Sequence, residues 1–111
     1  ALTRRPKNLV NSILEIDDLT MNTLNFEVKR NGKSINLSGK EYALLEVLMR
    51  HPRQILTKEQ IINHVWDYES DVLPNTVEVY IRNIRNKIDK PFKSKLIQTV
   101  RGFGYKIGKN V

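Results

Sequence analysis

Apolar residues recur along this chain in two rhythms, a period of two early and late and a helical period between. Ile13 to Ile16 is apolar apart from Glu15. Leu19, Met21 and Thr23 then alternate with polar neighbours, as do Phe26 and Val28 with Glu27 and Lys29. Alternation of this kind marks strands with one buried face. Asn31-Gly32 sits where a two-residue type I′ turn needs φ > 0 twice, so Ser34 to Leu37 reads as a returning strand. The predicted element is a small antiparallel sheet.

The period changes at Ser38. Ser38 and Glu41 form a capping box, and the helix behind it carries a stripe of Tyr42, Leu44, Leu45, Leu48 and Met49. Pro52 disfavours helix before it, so the stop falls near His51. Thr57 and Gln60 make a second capping box, opening a short helix with Ile61, Ile62, Val65 and Trp66. The third helix, Asn75 to Asp89, stacks Val77, Ile81, Ile84 and Ile88 on one face. Pro74 suits its first turn. A short capped helix, the acidic loop Asp67 to Leu73 and this third helix make a helix-turn-helix with a long turn. Leu96 to Val100 and Tyr105 to Ile107 then read as a hairpin with Arg101-Gly102-Phe103-Gly104 at its tip. Ala1 to Ser12, basic and broken by Pro6, reads as a linker or tail, leaving 13–111 as one domain.

The third helix organises the rest. Opposite its isoleucines lie Asn75, Val79, Arg82 and Asn86, flanked by Thr76 and Asn83. A merely solvated face favours Glu, Lys or Gln. Asn, Arg and Thr instead offer the forked donors and acceptors that read base edges, and about 20 Å of helix fits a major groove. The plainer reading, a surface helix docked by its isoleucines, stays open on this helix alone.

Charge narrows the choice. The chain of 111 residues has a formal net charge of +7. The whole excess lies after Pro74, where nine basic residues face only Glu78 and Asp89. A one-sided basic surface attracts a polyanion. Nucleic acid suits it better than anionic lipid, because this segment lacks the aromatic or leucine-rich face of a membrane-surface helix. No apolar run reaches the roughly 20 residues of a membrane span, and no signal peptide is evident. Cysteine is absent, which removes disulfides and thiolate metal sites and fits a cytoplasmic location. His64 and His51 are too few for a metal site, and no cofactor is expected. Trp66 reads first as a core residue, with an alternative role for its ring N–H as a phosphate donor. Arg101 at a basic hairpin tip is placed to enter a minor groove.

LSGKEYALLEVLMRHP, ILTKEQIINHVW, NTVEVYIRNIRNKID and above all TVRGFGYKI resemble the C-terminal effector domain of OmpR/PhoB-type bacterial response regulators, in the family's order and spacing from Ile13 to Ile107. The resemblance implies an α+β winged helix-turn-helix: a four-stranded antiparallel N-terminal sheet, three helices and a C-terminal β-hairpin wing. It implies that the third helix enters the major groove of double-stranded DNA and the wing the adjacent minor groove. Trp66, the helix N-terminus at Asn75 and Thr76, Tyr80, Thr99 and Tyr105 occupy positions that touch the phosphate backbone in such proteins.

Val79 is then expected at a thymine methyl, and Asn75 and Asn83 at base edges or phosphates. Arg82, Arg85 and Lys87 would neutralise phosphates, with Arg85 also a candidate for a base; Asn86 shares the face of Arg82. Arg101 and Gly102 would read the minor groove. Many relatives carry Arg where this chain has Asn75 and Asn83, a change that moves preference from guanine toward adenine. The family further implies an absent receiver domain phosphorylated by a sensor kinase, homodimerisation through it, direct-repeat half-sites, and contact with RNA polymerase through Asp67 to Leu73. Two rivals differ in class. A winged helix for protein contact would not need its excess charge on one pair of elements. An enzyme such as a nuclease would need a carboxylate cluster for metal, and the basic third offers only Glu78 and Asp89, so no enzyme is expected.

Overall fold

The computed structural model describes residues 12–66, 72–92 and 94–108. The tail up to Asn11, and Asp67 to Asp71 of the acidic loop, lie outside the described residues. Four strands, β1 (Ile13–Ile16), β2 (Leu19–Asn22), β3 (Glu27–Arg30) and β4 (Lys33–Ile35), form an antiparallel sheet in sequence order. Three helices follow, α1 (Gly39–Arg50), α2 (Lys58–Val65) and α3 (Pro74–Ile88), and then the hairpin of β5 (Ile97–Val100) and β6 (Gly104–Ile107). This is the winged helix-turn-helix that the resemblance implied.

Local chemistry sets the boundaries. Asn31 (φ 54°) and Gly32 (φ 81°) make the two-residue turn that pairs Arg30 with Lys33. Both capping boxes form: Ser38 and Glu41 exchange hydrogen bonds at the start of α1, and Thr57 and Gln60 at the start of α2. No side chain caps α3; Pro74 stands in its first turn, where its missing N–H leaves nothing unpaired.

Two strand expectations need correction. Phe26 is not a strand residue: it closes a four-residue turn with φ 60°, after Asn22 and Asn25 accept from the N–H groups of Leu24 (2.9 Å) and Glu27 (3.0 Å). These local side-chain bonds outcompete the ladder. The fourth strand runs over Lys33–Ile35 rather than Ser34 to Leu37, because the tight turn places its pairing directly after Gly32.

Leu19, Met21 and Val28 of the sheet pack with Leu44, Leu45 and Leu48 of α1, Ile61 of α2, and Val77, Ile81, Ile84 and Ile88 of α3 in one core. Arg30 shares the inward side of β3 with Val28 and is fully buried. Its guanidinium bonds Asp18 (3.0 Å), Asp89 (3.0 Å), the carbonyl of Ile88, and both the carbonyl and Oγ of Ser94 (2.6 Å each), under the ring of Phe92. Asp89 in turn accepts from the backbone N–H groups of Leu96 (3.0 Å) and Ile97 (3.1 Å). The buried pair therefore ties the sheet to the end of α3 and the start of the wing.

Candidate nucleic-acid interface

Burial sorts the faces of α3 as its periodicity predicts. Val77, Ile81, Ile84 and Ile88 are buried, whereas Asn75, Arg82 and Asn86 are exposed and Val79 is 42% exposed. Thr76 and Asn83 are half-buried beside them. The two flanks of the helix then differ by partner.

On one flank α3 faces the wing. Arg85 donates to the hydroxyl of Thr99 on β5, and its guanidinium lies 5.9 Å from the ring centre of Tyr105 on β6. Glu78 pairs with Lys58 in the first turn of α2, an ionic hydrogen bond that raises the lysine pKa. On the other flank Tyr80 packs edge-on against Trp66 at 5.3 Å, and Lys87 pairs with the nearly buried Glu41 of α1 at 2.7 Å. Burial raises the Glu41 pKa, but hydrogen bonds from Lys87 and the Ser38 N–H, with the lysine charge, outweigh it and leave the pKa lowered.

The wing is tied by its backbone to the segment before α2. Leu56 and Tyr105 exchange backbone hydrogen bonds of 2.8 and 2.9 Å, so the hairpin gains a third strand-like partner just before α2. Gly104 makes that approach possible, since a Cβ there would sit 2.0 Å from the Leu56 carbonyl oxygen. At the tip Arg101, Gly102 (φ 84°) and Phe103 are exposed. Arg82 and Arg101 have no ion-pair or hydrogen-bond partner among the described residues.

An open cleft between the start of α2, the exposed side of α3 and the wing gathers Asn75, Val79, Arg82, Arg85, Thr99, Arg101, Gly102 and Tyr105. Thr76, Tyr80, Asn83, Asn86, Lys87 and Trp66 lie outside that lining. Trp66 and Tyr105 are almost wholly buried, so their rings serve the packing of the helix-turn-helix and wing base. Sequence reasoning passed over Lys58, Glu78 and Phe103, which also line the cleft. The helical period could have located Glu78, because it lies one residue before Val79 and seven before Arg85. Nothing local pointed to Lys58 as its partner. Among the described residues no group of three or more His, Cys, Asp or Glu could hold a metal ion, and no helix is long and apolar enough to cross a membrane.

A recognition-type helix with a polar outer face beside a hairpin wing defines a winged-helix nucleic-acid-binding domain. Residues 32–107 match the family described as "Transcriptional regulatory protein, C terminal", and the chain belongs to it. It is a DNA-binding domain of the OmpR/PhoB response-regulator type. It is 42% identical over 106 residues to the response regulator ArlR of Staphylococcus aureus, covering 96% of this chain and 47% of that protein. Response regulator DrrB, an OmpR/PhoB homologue of Thermotoga maritima, superposes with a TM-score of 0.78 at 29% identity over 96% of this chain and 51% of its own. The RstA DNA-binding domain of Klebsiella pneumoniae, solved in complex with the RstA box, gives a TM-score of 0.76 at 26% identity over 86% of this chain and 96% of its own. The chain thus spans about half the length of the curated relatives it matches.

Proposed function

We propose that this domain binds specific double-stranded DNA sites with α3 in the major groove and the wing in the neighbouring minor groove, controlling transcription as the output end of a two-component response regulator. The observation that carries the reading is the cleft. Arg82, on the same exposed α3 face as Asn75 and Val79, and Arg101, at the tip of the wing, both line it, and both are exposed and unpaired among the described residues. Val79 is assigned to a thymine methyl, Asn75 and Asn83 to base edges or phosphates, and Arg101 to the minor groove. Arg85 is assigned to bracing helix against wing as well as to phosphate, since Thr99 and Tyr105 already engage it.

The larger assembly belongs to the same proposal: a receiver domain phosphorylated by a sensor kinase, dimerisation through it onto direct-repeat half-sites, and RNA polymerase contacting Asp67 to Leu73. So does a cytoplasmic location. The test is selection of bound duplexes from a random library, followed by titration of the recovered site against salt. A log–log slope of about −0.9 per phosphate neutralised, with about 4 to 7 phosphates per domain, is expected. The lower end is favoured because Lys87 and Lys58 already hold carboxylates. No enriched site, or a slope near zero, would refute the reading.

A further inference from the structure

Phe103 is 68% exposed at the tip of the wing. A lone exposed apolar residue is ordinary in itself. Phe26, equally exposed, packs edge-on against Tyr42 at 5.3 Å, whereas the ring of Phe103 meets no other aromatic ring among the described residues. Its place in the fold is what distinguishes it. The tip has only three residues, Arg101, Gly102 and Phe103, between β5 and β6. The Phe103 N–H donates to the Val100 carbonyl at 2.9 Å and closes the turn. Directly behind it Gly104 is pressed against the Leu56 carbonyl, which fixes the base of the tip. Ring and guanidinium therefore project from one rigid turn, and both line the cleft beside α3.

We propose that Phe103 is an apolar wedge that lodges in the minor groove beside Arg101 and gives the wing a preference for deformable pyrimidine–purine steps. The inference rests on the DNA-binding reading above and extends it. A minor groove has a floor of base edges and walls of deoxyribose, whose C–H surfaces are apolar. Arg101 answers the negative potential of the groove, and the phenyl ring answers its walls. Apolar side chains that enter this groove partly unstack a base step, which is easiest at TA and CA/TG. Because the turn is closed by its own backbone hydrogen bond, little backbone freedom is lost on entry, and the cost falls on the two exposed side chains.

The experiment uses the 111-residue chain and a duplex recovered by the selection described above, with the flank met by the wing made either TA-containing or an uninterrupted A-tract. Phe103→Ala should weaken binding to the TA-flanked duplex about tenfold, an effect typical of losing one aromatic–base contact. It should leave the salt slope unchanged, since no charge is removed. Phe103→Leu should restore most of the affinity. Arg101→Ala should instead flatten the slope by about one. With 2-aminopurine at the TA step, fluorescence should rise on binding the parent chain and stay flat with Phe103→Ala. Equal binding of parent and Phe103→Ala to both flanks, or an unchanged 2-aminopurine signal with the parent, overturns the wedge and leaves groove binding intact. Failure of the parent to bind any duplex overturns both.

Discussion

Replacing Asp89 by Ala should be among the most damaging single changes in the domain, although the Asp89 carboxylate touches none of the residues assigned to DNA. Its carboxylate has three partners: Oδ1 accepts from Arg30 Nη1 and the Leu96 N–H, both at 3.0 Å, and Oδ2 accepts from the Ile97 N–H at 3.1 Å. Arg30 would keep Asp18, the Ile88 carbonyl and Ser94, so its charge would not be stranded. The main loss would be two buried N–H groups left without an acceptor, at about 1–3 kcal/mol each. With the weakened ion pair, about 3–4 kcal/mol is expected, which lies at the low end for breaking a buried pair. For a domain of this size that lowers Tm by roughly 15 °C.

Asp89→Asn should recover little. One carboxamide oxygen can serve one of the two N–H groups, and the amide nitrogen then confronts the other, donor to donor. Urea denaturation of parent, Asp89→Ala and Asp89→Asn measures both costs. A destabilisation below about 1 kcal/mol for Asp89→Ala, with an unchanged denaturant slope, would refute the claim that this carboxylate joins helix, sheet and wing.

Val79→Ala should change stability by less than about 0.5 kcal/mol while relaxing selection for one thymine, and Ile84→Ala should cost about 2–5 kcal/mol through a core cavity; equal melting of the two would mean that the faces of α3 are assigned wrongly. Gly104→Ala should cost at least about 2 kcal/mol by forcing the Leu56–Tyr105 bridge apart, whereas Gly102→Ala, with open space around it, should cost only about 1 kcal/mol for its positive φ; calorimetric melting of the two variants distinguishes them. Glu41 has a folded pKa below its ordinary value, so its contribution is present above that ordinary value and is lost as pH falls through the folded pKa. Thermal melts from neutral pH down to about pH 3 should therefore fall less steeply for Glu41→Gln than for the parent, and parallel curves would exclude the Lys87 pair as the cause.

Local signals carried much of the fold. Ser38 and Thr57 announced two helices through residues three positions away, Asn31-Gly32 announced a hairpin, and the isoleucine spacing of α3 identified its buried face. What stayed hidden depends on partners distant in sequence. Arg30 lies 59 positions from Asp89, and no local pattern joins them. Strict alternation did carry a hint, since placing Val28 inward places Arg30 inward too, and an inward arginine demands an acid. Phe26 misled because an apolar residue at the right parity looks like a strand, while the two asparagines that bend the chain act through their side chains. On the site, the charge excess points to the third of the chain that supplies α3 and the wing, two of the elements that line the cleft. It did not reveal that Glu41 and Glu78 hold lysines, or that Tyr105 sits inside the packing, whereas Trp66 is buried in keeping with its first reading as a core residue.

The Leu56–Tyr105 bridge makes the protein a fixed caliper. The segment entering α2, the base of the hairpin and, through Arg85 and Thr99, the last turn of α3 are bonded into one frame, so the gap between helix and wing has little room to open or narrow. When such a frame meets a duplex, the duplex must supply the adjustment. Two sites with identical base edges but different intrinsic groove width would then be bound unequally, and the domain would rank promoters partly by their mechanical compliance.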